Sequence, residues 1–231
     1  MPLLVRTFWL PRAPADSVAY EDAFAVQPGW PFAAAVADGA TETAFAGSWA
    51  RYLVQSFCRE LPLTPGTFQD SLSRWRTDWT ATLPTASLPW YLAVKLDEGA
   101  CATLLGMVLY ADGNWQALAV GDAVLFHLRQ AQLLQAWPLS HAGQFTQRPS
   151  LISSRAEASP AAVDIISGGW KPGDAFILAT DALAAWLLRT DPTLPLRLTS
   201  AELATRVQAA RQQRSLRNDD VTAVVVLGLE P

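Results

Sequence analysis

The chain has 231 residues, 17 Lys and Arg against 21 Asp and Glu, a formal net charge of −4, and a composition that is 51% hydrophobic and 16% charged. That composition excludes a disordered chain and supplies apolar surface for a sizeable core, while the acidic balance argues against a nucleic-acid binder. Apolar runs such as 182–188 and 223–229 fall far short of the ~20 residues of a membrane-spanning helix, and two cysteines make no disulfide framework.

Arg6 interrupts the apolar start and Pro11 follows it, unlike an export signal. The expectation is a cytoplasmic protein, one domain over residues 1–231, with neither nucleic acid nor membrane as a partner. Glu21 and Asp22 precede an alternating run, Ala23–Val26. Phe32–Ala37 reads as a buried strand that stops at Asp38-Gly39. Ala44–Glu60, with Phe45, Trp49, Tyr52, Leu53 and Phe57 at helical spacing, reads as a helix. Thr67–Thr82 reads as another, with Phe68, Leu72, Trp75 and Trp79 on one stripe. Cys101–Tyr110 and Trp115–Val120 form an expected hairpin around Asp112-Gly113-Asn114. Val124–Arg129 and Gln132–Trp137 form a second, turning near Gln130. Ala175–Thr180 is a strand introduced by Pro172-Gly173-Asp174. Ser200–Ser215 is a helix with Ser200 as N-cap and a Glu202–Arg206 pair, and Val221–Leu229 is the last strand. Such an order predicts an α+β fold with mostly antiparallel sheets.

The acids are informative by position. Asp38 and Asp181 each end an apolar run, Asp219 and Asp220 directly precede one, and Glu21-Asp22 precede another. A carboxylate beside a buried strand is costly unless it is paired. If these ends converge, several carboxylates share one cavity and need cations, and oxygen donors of this hardness select Mg²⁺ or Mn²⁺. Singly, Asp38-Gly39 reads as a turn, Asp181 as a helix cap and Asp219-Asp220 as a solvated loop. Asp112-Gly113 is a turn without chemistry.

Taken in order, YEDAF, AVADGA, GACATLLGMVL, WQALAVGDAVLFHLR, KPGDAFILATDAL and NDDVTAVVV resemble the type 2C metal-dependent serine/threonine protein phosphatases, in a minimal bacterial form. The resemblance runs from Tyr20 to Val226. It implies an αββα four-layer sandwich with two antiparallel sheets. It also implies two divalent cations, Mn²⁺ or Mg²⁺, that activate a water to hydrolyse phosphoserine or phosphothreonine in a protein substrate. Under it, Asp38 bridges the ions and the Gly39 carbonyl binds one, the missing side chain of Gly39 allowing close approach. Asp181 and Asp219 bind the other ion, Asp219 being favoured over Asp220, and Glu21 and Asp22 hold metal-bound waters. Cys58 and Cys101 are expected to be packing residues.

The sequence departs from the family pattern at several places. Ser17-Val18-Ala19-Tyr20 stands where the family carries an arginine that docks phosphate; Arg12 is the candidate replacement and Arg6 a poorer one. Ala185 replaces an aspartate tied to a third metal, leaving Asp122 without that partner. Glu42 and His141 read as loop residues, with water binding and general-acid roles as minority readings. Two alternatives stand beside the phosphatase: a weak or inactive phosphatase-like module that binds a phosphoprotein, and a hydrolase of small phosphate esters.

Overall fold

The computed structural model describes residues 2–12, 20–41, 43, 45–83, 98–146, 148–155, 157–158 and 160–229. Ser17–Ala19, Glu42 and the expected helix start at Ala44 lie outside them.

Two five-stranded sheets carry the fold. One has the order β1-β12-β11-β7-β8, from Leu3–Leu10 (β1), Val221–Gly228 (β12), Asp174–Ala179 (β11), Val124–Arg129 (β7) and Gln132–Trp137 (β8). The other has the order β10-β6-β5-β3-β2, from Asp164–Gly169 (β10), Asn114–Val120 (β6), Leu104–Leu109 (β5), Phe32–Ala37 (β3) and Ala23–Gln27 (β2). Neighbouring strands are antiparallel throughout. A short pair, Cys101–Ala102 (β4) with Ile152–Ser153 (β9), stands apart. The helices are Ala46–Glu60 (α1), Pro65–Thr82 (α2), Asp181–Arg189 (α3), Leu194–Arg197 (α4) and Ser200–Gln212 (α5). No helix among the described residues is long and apolar enough to cross a membrane.

Strand periodicity explains the layers. Successive side chains of a strand point to opposite faces. In β3, Ala33, Ala35 and Ala37 pack beneath α1 with Trp49, Leu53 and Phe57. Phe32, Ala34 and Val36 face the other way, into an inter-sheet core shared with Met107, Phe176 and Val224. In β12, Val221, Ala223 and Val225 pack beneath Leu183 and Leu187 of α3 and Leu203 and Val207 of α5. Its alternate residues Val224 and Val226 join the inter-sheet core. Three apolar interfaces therefore separate four layers, helix–sheet–sheet–helix. Burying a side chain such as Phe57 or Leu183 contributes about 2–3 kcal/mol.

The differences from the sequence reading are local. Cys101–Tyr110 is two strands, broken at Thr103. The Thr103 N–H donates to the Asp38 carbonyl (2.8 Å), and its Oγ1 accepts from the Asp38 N–H (3.0 Å). The chain leaves the ladder there to clasp the turn after β3. The N-cap of α5 is Thr199, not Ser200, and its capping-box partner is Glu202, whose carboxylate accepts from the Thr199 N–H at 2.8 Å. Glu202 therefore turns back to the helix start and not to Arg206. The β7–β8 turn uses Gln130 and Ala131, both at positive φ (51° and 56°), which suits a two-residue hairpin. Strands β1 and β10 carry no clean alternation, and the sequence reading lacks both.

Candidate metal centre

The C-terminal ends of β3 and β11 and the N-terminal end of β12 open onto one cavity of about 450 Å³. Its wall includes Asp38, Gly39, Asp122, Asp181 and Asp219. Asp38 and Gly39 form the turn that leaves β3. Gly39 pairs with Ala102 as an isolated bridge, closed by Ala40 N–H to the Cys101 carbonyl (2.9 Å) and by the Thr103–Asp38 bond. This pairing does not engage the carbonyl of Gly39 itself. A Cβ on Gly39 would lie 2.7 Å from the backbone carbon of Ala46. The start of α1 against it is thus one reason for a glycine at this position. Asp181 is the first residue of α3, where a negative charge suits the helix dipole.

The electrostatics are those of crowded anions. Burial, then the charges of Asp22, Asp181 and Asp219, holds the Asp38 carboxyl well above the usual range. Asp22 is 2% exposed, and burial pushes it up to about 8. Hydrogen bonds from Thr180 Oγ1 (2.9 Å) and Thr222 Oγ1 (2.7 Å) partly offset that rise. Burial, then the Asp181 charge, raises Asp122 to about 7. Asp181 is raised by burial and pulled back by Arg217. Like charges gathered out of water call for protons or cations, and an all-oxygen donor set suits Mg²⁺ or Mn²⁺. The residues thus fit divalent ions by chemistry. Among the described residues, no three or more His, Cys, Asp and Glu side chains are already gathered as they would be around a bound ion. Arg217 bonds to Asp181 and Asp219 instead, each at 2.6 Å.

Residues 15–221 match the family model of protein phosphatase 2C. The chain belongs to the protein phosphatase 2C family. Solved structures similar to this protein phosphatase 2C chain include the serine/threonine phosphatase Stp1 from Staphylococcus aureus, with TM-score 0.68, 13% identity, and 100% of this chain and 96% of that one covered. Another is the Mycobacterium tuberculosis serine/threonine phosphatase PstP/Ppp (TM-score 0.62, 17% identity, 99% of each chain). A third is PppA, described as a regulatory component of T6SS in Pseudomonas aeruginosa (TM-score 0.64, 17% identity, 98% of each chain). A PstP catalytic domain at 16% identity and TM-score 0.62, covering 99% of this chain and 100% of that one, was solved with two manganese ions. At these identities the likeness carries the fold: two antiparallel sheets flanked by helices. No curated protein matches the chain.

The remaining candidates separate clearly in this protein phosphatase 2C fold. Asp220 is 3% exposed and accepts from the backbone N–H groups of Arg12 and Glu21, both at 2.8 Å. It fastens the segment before β2, whereas Asp219 lines the cavity. Glu21 pairs with Arg12 at 3.5 Å, and its carbonyl accepts from the Gly39 N–H. The Arg12 guanidinium also reaches Thr41 Oγ1 (3.4 Å), a cavity-lining residue. Arg6 donates to the carbonyls of Pro195, Leu196 and Leu198 and is held away from the site. His141 caps a short 3-10 turn, Ala142–Gln144, and does not line the cavity. Cys58 is buried and its thiol is pushed up to about 12 by burial. Cys101 lines the cavity, contrary to a pure packing role.

Among the cavity residues that sequence reasoning missed, Arg148, Arg217 and Thr103 carry polar groups able to act there. Arg148 belongs to the segment between β8 and β9, which has no periodicity to place it. Arg217 had a signal, since it stands two residues before Asp219 and shares its loop.

Proposed function

We propose that the chain is a cytoplasmic, bacterial, metal-dependent serine/threonine protein phosphatase acting in signal transduction. Asp38, the Gly39 carbonyl, Asp181 and Asp219 would hold two Mn²⁺ or Mg²⁺ ions, and Glu21 and Asp22 would steady their waters. The carrying observation is that Asp38, Asp181 and Asp219, far apart in sequence, line one cavity. When bound, such ions activate a water for in-line attack on a phosphate monoester and offset the charge of its oxygens.

The chain's own groups do the rest. The backbone of Asp38 is held at both its N–H and its carbonyl by the clasp with Thr103, which fixes the turn from which its carboxylate projects. Thr180 and Thr222 fix Asp22 behind it. Arg148 on the wall offers a cation to the substrate phosphate. Arg12, tied to Glu21 and Thr41, is the second candidate for that role.

The test is Mn²⁺-dependent hydrolysis of p-nitrophenyl phosphate and of a phosphothreonine peptide by the full chain. Turnover that Asp181→Asn abolishes supports the reading. An inert wild type, or undiminished turnover in the variant, overturns it. The Arg217 ion pairs favour one second reading, a weak or inactive module that binds a phosphoprotein. Phosphopeptide binding with no Mn²⁺ uptake would establish that alternative.

A further inference from the structure

The cavity already contains a cation, supplied by the chain. Arg217 Nη2 lies 2.6 Å from Asp181 Oδ2 and 2.6 Å from Asp219 Oδ2, so one nitrogen touches both carboxylates. We infer that Arg217 is a resident competitor for divalent ions, which leaves the Asp38–Gly39 side of the centre open and makes filling of the Asp181–Asp219 side conditional on its displacement. This inference rests on the reading of Asp38, Asp181 and Asp219 as metal ligands.

Three features carry it. The first is shared occupancy, because a divalent ion and the guanidinium need the same two oxygens. The second is permanence: a guanidinium stays protonated at any physiological pH, so it leaves by swinging out and not by losing its proton. The third is freedom to leave. The Arg217 side chain is 57% exposed, whereas that of Asp181 is 11% exposed. The charged head can therefore return to water while the carboxylates stay in place. Among the described residues the ion pairs of Arg217 run to Asp181 and Asp219 and none to Asp38, so the two halves of the centre are obstructed unequally.

A ligand that needs a minor conformer binds more weakly by the fraction of that conformer. If two charge-assisted bonds keep Arg217 inward nine times in ten, the obstructed step is weakened about tenfold. Loading is then sequential. The first ion enters at Asp38, and the second enters only at metal concentrations that outcompete Arg217. Ion availability would in this way set how much of the protein carries a complete centre.

The experiment is titration of the full chain with Mn²⁺, followed by calorimetry and by the electron paramagnetic resonance signal of free Mn²⁺. The wild type should show two steps of unequal affinity. Arg217→Gln should strengthen the weaker step about tenfold and leave the stronger within about twofold. Arg217→Lys, which keeps the charge, should stay near wild type. Thermal melts give an independent readout: Arg217→Gln should melt below wild type without metal and lose that deficit at saturating Mn²⁺. Should Gln unfold the chain, Arg217→Met preserves the aliphatic stem and repeats the comparison. An unchanged or weakened second step in these variants overturns the inference while the metal reading stands. No Mn²⁺ uptake by any of the proteins overturns the metal reading and this inference with it.

Discussion

Gly106 of β5 lies directly under the ring of Phe57 in α1: a Cβ there would stand 2.3 Å from both Cε1 and Cζ. Phe57 is wholly buried and has nowhere to retreat. Gly106→Val should therefore cost about 3 kcal/mol or more, the upper end of overpacking penalties. Urea denaturation measures it. Because α1 starts against Gly39, the variant should also weaken Mn²⁺ binding, and a wild-type midpoint would contradict this packing.

Gly39 makes a sharper case. Its Cβ would meet backbone atoms of Ala46 at 2.7 and 2.9 Å, and backbone cannot rotate aside. Gly39→Ala should push the 38–39 turn away from α1 and break the Thr103 clasp on Asp38. Mn²⁺ affinity should fall on the order of tenfold to a hundredfold, as when a group that orients a ligand is lost. Circular dichroism should still report both sheets.

A buried ion cluster makes an acid-labile contribution to stability, opposite in sign to that of the raised carboxyls Asp22, Asp38, Asp122 and Asp181. Asp174 is fully buried and accepts from Arg129 Nε (2.6 Å), Arg129 Nη2 (2.8 Å) and His127 Nε2 (2.9 Å). Burial opposes its ionisation, but the Arg129 and His127 hydrogen bonds outweigh it, and its pKa is lowered. Burial also lowers that of His127, against the pull of Asp174. Both groups bind protons less readily folded than unfolded, so both contributions shrink on acidification. That of His127 begins to fade below about pH 6.5, and that of Asp174 is lost as pH falls below about 3.9 toward its folded value. Asp174→Asn should cost roughly 3 kcal/mol at pH 7, the low end for a broken buried pair because Arg129 is partly exposed. It should also flatten the stability curve below about pH 4. The difference between wild-type and Asp174→Asn urea midpoints from pH 7 to pH 3, in which the other carboxyls cancel, should shrink below about pH 4.

Arg148 is exposed and lines the cavity. Arg148→Ala should leave folding unchanged and raise the KM for a phosphothreonine peptide by about tenfold, the worth of one charge-assisted contact. The effect on kcat should be smaller. Equal KM values for the two proteins would remove Arg148 from substrate docking and return attention to Arg12.

What the sequence made legible follows from where patterns are strong. The runs Phe32–Ala37, Val124–Arg129 and Gln132–Trp137 match the strands residue for residue, since turn signals bound each of them. Asp38, Asp181 and Asp219 each had a bland reading alone, as turn, cap or loop, and stood out only together, because three acids beside apolar runs repeat one costly placement. Strand β1 was hidden because Arg6 sits within it, satisfied by three carbonyls that only the tertiary fold brings near. Strand β10 is a largely exposed edge strand, so no buried face imprinted a period on it. The break at Thr103 could not be read either: its cause is Asp38, 65 positions away. Cavity walls built from aperiodic segments, as at Arg148, leave no trace in a hydropathy pattern.

Strand β12 runs between β1 and β11, and Asp219 lies two residues before it. Translation therefore reaches Asp38 and Asp181 before it reaches the strand that completes the cavity. Until Asp219 and β12 have been made, the cavity lacks one wall, and any ion it is to hold must wait for them.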